Sequence, residues 1–238
     1  MTQTKRYGMD LTEGSILRQL LVFMLPLLAA NLVQQLYNTV DMIVIGQFVG
    51  SEGTVGVAVG GQAAQFLTML SMGLATGGQV YISQLTGARQ HELINDAVGT
   101  LLSFVMLLSV VLMVGGLVFA DQLISLMGTP AEAVSEATDY LRITFLGFPF
   151  IFGYNAVCAV LRGMGDSRRP LIFVCIAAVS NIVFDLLLVV VFDLAAAGTA
   201  IATVVGQALS FLFSIVFLYR RRENFGFDFK RRSFAIRW

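Results

Sequence analysis

Charge is what this sequence has least of: Asp, Glu, Lys and Arg make up 13% of its 238 residues, about half the share of an ordinary soluble domain. Basic and acidic residues balance at 15 each, so no net field recruits nucleic acid or an acidic partner. Histidine occurs once and cysteine twice. Cys158 and Cys175 sit in apolar stretches without metal-ligand spacing, which argues against a disulfide framework or a zinc site and reads as two buried small hydrophobes. His91, in "GARQHELIND", reads as a solvated loop residue. No Walker-type glycine loop, nucleophile elbow or zinc motif is present, so no enzyme chemistry has support.

What is abundant is apolar: 57% of the residues are hydrophobic and the mean hydropathy is +0.80. The chain therefore reads as an all-α integral membrane protein. A spanning helix needs roughly 20 mostly apolar residues, and six segments qualify: about 16–48, 57–86, 97–120, 139–161, 170–192 and 196–219. Residues 1–219 thus form one six-transmembrane-helix bundle, followed by a basic cytoplasmic linker or tail over 220–238. The run Leu20–Ala30 is followed by no small-residue cleavage site, so it reads as the first span and not as a signal peptide. Pro26 predicts a kink in span one and Pro149 another in span four. "DQLISLMGTPAEAVSEATDY" is too polar to span and predicts a short helix at the membrane surface. "GLATG", Gly73 to Gly77, carries the small-xxx-small spacing of close helix approach.

Orientation follows from Lys and Arg. With the N-terminus cytoplasmic, Lys5, Arg6, Arg18, Arg89, Arg162, Arg168, Arg169 and the tail place fourteen of the fifteen basic residues on that side. Only Arg142 falls on the other. This positive-inside pattern predicts a multi-pass protein of the cytoplasmic (inner) membrane with both termini cytoplasmic.

Two carboxylates remain at membrane depth: Asp41 in span one and Asp185 in span five, each about six or seven residues from its external end, or roughly 10 Å at 1.5 Å per residue. A lone carboxylate there costs about 2.5–3.5 kcal/mol, so each should face the bundle interior and be partnered or protonated. Their faces are polar. Asn31, Gln34, Asn38 and Asp41 recur at helical spacing, Asn181 stands one turn before Asp185, and Thr199, Thr203 and Gln207 repeat every four residues. Asn155 adds an amide from span four. Neutral oxygens with carboxylates suit a proton or a hard monovalent cation such as Na⁺, not a transition metal. Taken singly, Gln34, Thr199 and Gln207 also read as interhelical glue.

The segments "LPLLAANLVQQLYNTVDMIVIG", "QVYISQLTGAR", "LRGMGDSRRP", "NIVFD" and "GTAIATVVGQ" occur in the order and topological places in which the chain resembles the N-terminal half of a prokaryotic multidrug and toxic compound extrusion (MATE) transporter. The resemblance implies one lobe of a twelve-helix exporter that moves organic, often cationic, drug-like compounds against H⁺ or Na⁺, with no cofactor beyond that ion. It implies a cation or proton site at Asp41, Asn155, Asn181, Asp185 and Thr203, with Na⁺ expected at Asp41, Asp185, Asn181 and Thr203; the polar stripe of span one adds Asn38 and Gln34 as a supporting face. It also implies that Pro26 marks a region of span one that bends or straightens. The partners it implies are membrane lipid and a missing second six-helix lobe, lost by truncation or supplied by self-association. A lipid-linked oligosaccharide flippase of the same superfamily is the alternative cargo, disfavoured because the predicted membrane interior holds no Lys or Arg. An inactive membrane fragment is the alternative of another class.

Overall fold

The computed structural model describes residues 14–221. Its helices are α1 (Ile16–Phe48), α2 (Ser51–Gly87), α3 (His91–Leu126), α4 (Val134–Gly163), α5 (Arg168–Asp185) and α6 (Ala195–Arg220). A 3₁₀ turn, Ala131–Ala133, leads into α4, and a π-helical segment, Leu186–Val191, continues α5. The six spans so formed are long and apolar enough to cross a membrane. Helices are the form that satisfies every backbone polar group within one segment, which lipid requires.

Three local expectations are corrected. The segment 121–140 is not a separate surface helix: it divides between the end of α3, a turn at Met127–Pro130 and the start of α4. Gly128 at φ +66° and Pro130 break the path there, and the polar residues on either side extend the spans beyond their apolar windows. Among the described residues the "GLATG" face meets no neighbouring helix, since a Cβ at Gly73 or Gly77 would find nothing within 4 Å. His91 opens α3 instead of lying in a loop.

α4 is the centre of the bundle. It packs against α2, α3 and α6, and 67% of its most apolar stretch is buried, against 6% for α1. In lipid, apolar burial supplies little net drive, so helix association depends on close van der Waals fit. A Cβ on Gly60 of α2 would stand 2.8 Å from the Ala137 carbonyl oxygen of α4, so glycine lets the two backbones meet. Phe145, Phe148 and Phe152 fill the other side, with ring centroids 5.0 and 5.1 Å apart. Cys158 is buried and Cys175 half-buried, both as free thiols.

The α4–α5 turn shows why "LRGMGDSRRP" takes its shape. Gly165 adopts φ +85°, and the buried Asp166 accepts hydrogen bonds from the backbone N–H groups of Arg168 and Arg169 at 3.2 and 3.3 Å. It also pairs with the Arg169 guanidinium, which lies 5.1 Å over the Phe217 ring of α6. Asp166 therefore caps α5 and, through Arg169, docks it on α6.

Candidate cation site

Asp41 and Asp185 come together where α1 packs against α5. Asp41 is 7% exposed and Asp185 not at all. Helical periodicity builds the rest of the wall. One turn before Asp41, the buried Tyr37 stands beside Gln34 and Gln207. One turn before Asp185, Asn181 stands beside Asp41 and donates through Nδ2 to Thr203 Oγ1 at 3.2 Å. Thr199, one turn before Thr203, is fully buried beside Asp185. Tyr140 of α4 reaches the same place, close to Asp41, Tyr37 and Asp185.

Six buried oxygens here lack a partner. Asp41 Oδ1, Asn181 Oδ1, both carboxylate oxygens of Asp185, Thr199 Oγ1 and Gln207 Oε1 are buried and have no hydrogen-bond partner among the described residues. A buried polar atom left unpaired costs about 1–3 kcal/mol, more when charged. Six such atoms in one region define a place that a proton or an oxygen-liking cation satisfies. They are carboxylate, amide and hydroxyl oxygens, a hard donor set. Among the described residues no group of three or more His, Cys, Asp or Glu side chains could hold a metal ion.

Asp185 is also the last α-helical residue before the π-helical segment. The wider π turn shifts the hydrogen bonding, with Phe192 N–H donating to the Leu187 carbonyl at 3.1 Å. Single π turns recur at functional sites because they re-aim the neighbouring side chains.

The residues singled out from sequence are thus distributed unequally. Asp41, Asn181, Asp185 and Thr203 share one cluster. Gln34 is exposed but touches the cluster through Tyr37, whereas Asn38 is exposed. Asn155 is half-buried on α4 without a hydrogen bond to the cluster. Pro26 lies inside a continuous α1, where its ring removes the donor for the Val22 carbonyl. Tyr37 and Tyr140 were not evident from sequence, and Thr199 was legible only as glue. Tyr37 could have been found from its spacing of four before Asp41.

Two carboxylates and the polar side chains around them are thus buried within a bundle of six helices long and apolar enough to cross a membrane, an architecture suited to a transporter. Residues 26–187 match the MatE family, and the chain belongs to that family, one of transporters and not of enzymes. The probable multidrug resistance protein YoeA of Bacillus subtilis (strain 168) is 34% identical over 221 residues, covering 91% of this chain and 48% of that protein. YpnP of the same organism, also a probable multidrug resistance protein, is 31% identical over 215 residues, covering 90% and 48%. The chain thus spans about half the length of these curated relatives. Among solved structures, the outward-facing conformation of a multidrug resistance MATE family transporter superposes with a TM-score of 0.86 at 26% identity, over 97% of this chain and 51% of that one. A MATE crystallised in the straight conformation gives a TM-score of 0.87 at 27% identity, over 96% and 51%. A MATE in the bent conformation gives 0.87 at 26%, over 96% and 51%.

Proposed function

We propose that this chain forms one lobe of a multidrug exporter in which Asp41 and Asp185, with Asn181, Thr199 and Thr203, bind the coupling ion, H⁺ or Na⁺. The observation that carries this function is the convergence of buried, donorless oxygens around two carboxylates. Two negative charges about 4 Å apart at an effective dielectric of ~20 repel by about 4 kcal/mol. A cation between them removes that repulsion, and about 4 kcal/mol is enough to move a two-state equilibrium by roughly a thousandfold. α1 is the element that responds, because it carries Asp41 on a helix whose apolar surface is almost wholly outside the bundle core. Binding drives a change only through unequal affinity in the two states, and pairing or separating α1 and α5 supplies that inequality. Pro26 lowers the cost of bending α1 because one backbone hydrogen bond is already absent.

The exposed amides Asn31, Gln34 and Asn38 on α1 would be costly against lipid tails, so this face turns toward a water-filled cavity or a second lobe where drug-like cations pass. The inner membrane, with both chain termini cytoplasmic, is supported by the placement of charge. Arg18, Arg89, Arg162, Arg168, Arg169, Arg220 and Arg221 gather at one end in an up-and-down helix order. Arg142 at the other end is paired with Asp121 at 2.8 Å.

The test is direct. In weakly buffered detergent solution, adding Na⁺ to the purified chain should release protons if both ions compete for the pair, and Asp185→Asn should abolish the release. Joined to the second half of YoeA in cells without other exporters, the wild-type chain should confer drug resistance that Asp41→Asn or Asp185→Asn removes. Full resistance in both variants at normal membrane levels would overturn the assignment.

A further inference from the structure

We propose that Glu136, at the external start of α4, is a positioning residue for the carboxylate pair, acting through a hydrogen bond that fixes the first turn of α6. The proposal rests on the reading of Asp41 and Asp185 as the ion site. Glu136 Oε2 accepts a hydrogen bond from the backbone N–H of Ala196 at 3.1 Å, across 60 residues of sequence. Ala196 is the second residue of α6, which has no side-chain cap of its own. An acidic group supplied by another helix therefore occupies the position where an N-cap side chain ordinarily satisfies a free N–H and meets the positive end of the helix dipole.

The turn held in this way is strained. Asp193 and Ala195 adopt φ +55° and +45°, conformations that side chains with a Cβ rarely take. Such geometry persists where surrounding contacts over-determine it, and it recurs near functional sites. Two observations carry the constraint inward. A Cβ on Gly198, in the first turn of α6, would lie 3.1 Å from Val189 Cγ2 and 3.2 Å from the Leu188 carbonyl carbon. The start of α6 is therefore pressed against the π-helical segment that follows Asp185. One residue further, Thr199 is fully buried and lies beside Asp185. On α4, Tyr140 repeats one turn after Glu136 and faces both carboxylates. The Glu136 backbone is itself seated, since a Cβ on Gly56 of α2 would strike the Glu136 Cβ at 2.6 Å. A single contact at the external rim thus sets the register of Thr199 and of the turn after Asp185.

The variants Glu136→Ala, Glu136→Gln and Ala195→Gly, the last alone and combined with Glu136→Ala, separate the possibilities. The readout is the infrared carboxyl-stretch signal assigned to the pair by its loss in Asp41→Asn and Asp185→Asn, followed through a pH titration of the purified chain in lipid nanodiscs. Loss of the bond in Glu136→Ala should change the apparent proton affinity of the pair by about fivefold, the usual worth of a helix cap. Glu136→Gln, which loses the charge but keeps an acceptor oxygen, should titrate like wild type. Ala195→Gly relieves the strained φ without the cap and should return the double variant toward wild type. If Gln and Ala shift the titration equally, Glu136 acts by its charge and the positioning role is overturned. It is also overturned if Glu136→Ala titrates as wild type. Should Glu136→Ala fail to fold, Glu136→Gln and Ala195→Gly with Glu136→Gln still decide between the two roles, because a charge effect shifts both and a positioning effect shifts neither. A carboxyl signal insensitive to Asp41→Asn and Asp185→Asn would instead defeat the ion-site reading.

Discussion

Asn181 Nδ2 donates a hydrogen bond to Thr203 Oγ1 at 3.2 Å, a bond from α5 to α6 made by a side chain that also stands beside Asp41 and whose carbonyl oxygen is buried with no partner among the described residues. The amide is thus oriented by one helix and offered to another. Thr203→Val keeps the shape and deletes the acceptor, leaving Nδ2 free to rotate. Cation or proton affinity should fall about five- to tenfold, the equivalent of about 1–1.5 kcal/mol. Titration calorimetry on the wild type and Thr203→Ser, where the hydroxyl returns, makes the comparison. Equal affinity for wild type and Thr203→Val would remove Asn181 orientation from the site.

The unpaired carboxylates also predict a linkage between ion and stability. A ligand that binds only the folded bundle at about 100 times its Kd stabilises it by about 2.7 kcal/mol. Thermal unfolding in detergent should therefore move upward with Na⁺ or with acidification in the wild type, and should respond to neither in Asp185→Asn. The variant should start at a higher midpoint in Na⁺-free buffer, because a buried repulsion has been deleted. Identical ion responses in the two proteins would contradict a shared site at Asp185.

Gly206 tests the seam between the two helices that hold the site. A Cβ there would stand 2.9 Å from the Ala177 carbonyl oxygen and 3.3 Å from Asn181 Cβ. Gly206→Ala should cost about 1–3 kcal/mol of stability through overpacking and should weaken ion binding as well, since Asn181 is the group displaced. Gly73→Ala, in open space, is the control and should be neutral. A stability loss for Gly206→Ala without any change in binding would show that Asn181 does not need its present position.

At the α4–α5 turn, Asp166→Ala removes two backbone caps and the Arg169 pair. It should lower stability by about 1–2 kcal/mol while leaving ion affinity unchanged, because Asp166 and the carboxylate pair lie at opposite ends of α5. A large loss of ion affinity in this variant would mean that the two ends of α5 are coupled.

For Pro26, substitution by Ala restores a donor to the Val22 carbonyl and stiffens α1. Insertion and stability should be retained or improved, while turnover of the joined transporter should fall. Unchanged transport would dissociate α1 bending from the cycle.

Much of the fold was legible because lipid simplifies the rules: apolar runs of sufficient length must be helices, and the charges sort to their ends. The cluster of Asp41, Asn181, Asp185 and Thr203 was legible on related grounds, since oxygen-bearing side chains stacked at i and i+4 are too costly at membrane depth to face lipid tails. The misses have a common cause. Tyr37 and Tyr140 are amphipathic, and residue type alone does not separate a wall residue from a lipid-interface anchor; only the spacing of Tyr37, one turn before Asp41, points to the site. Glu136 looked like an ordinary external charge because its partner is a backbone N–H sixty residues away. The π-helical turn after Asp185 lies in the run "LLLVVV", which gives no local sign of a changed register. Gly73 and Gly77 carry the spacing of a helix contact, yet spacing does not say whether another helix is present on that side.

The uneven burial of α4 and α1 divides labour within the lobe. α4 is a central post whose side chains are committed to α2, α3 and α6, while α1 is a lightly fastened arm that carries one of the two carboxylates of the proposed ion site. Damage to the post should be read in yield and melting behaviour, and damage to the arm in cycling rate at normal yield. A protein engineered along α1 can accordingly be retuned in speed and ion threshold without first being rebuilt for stability.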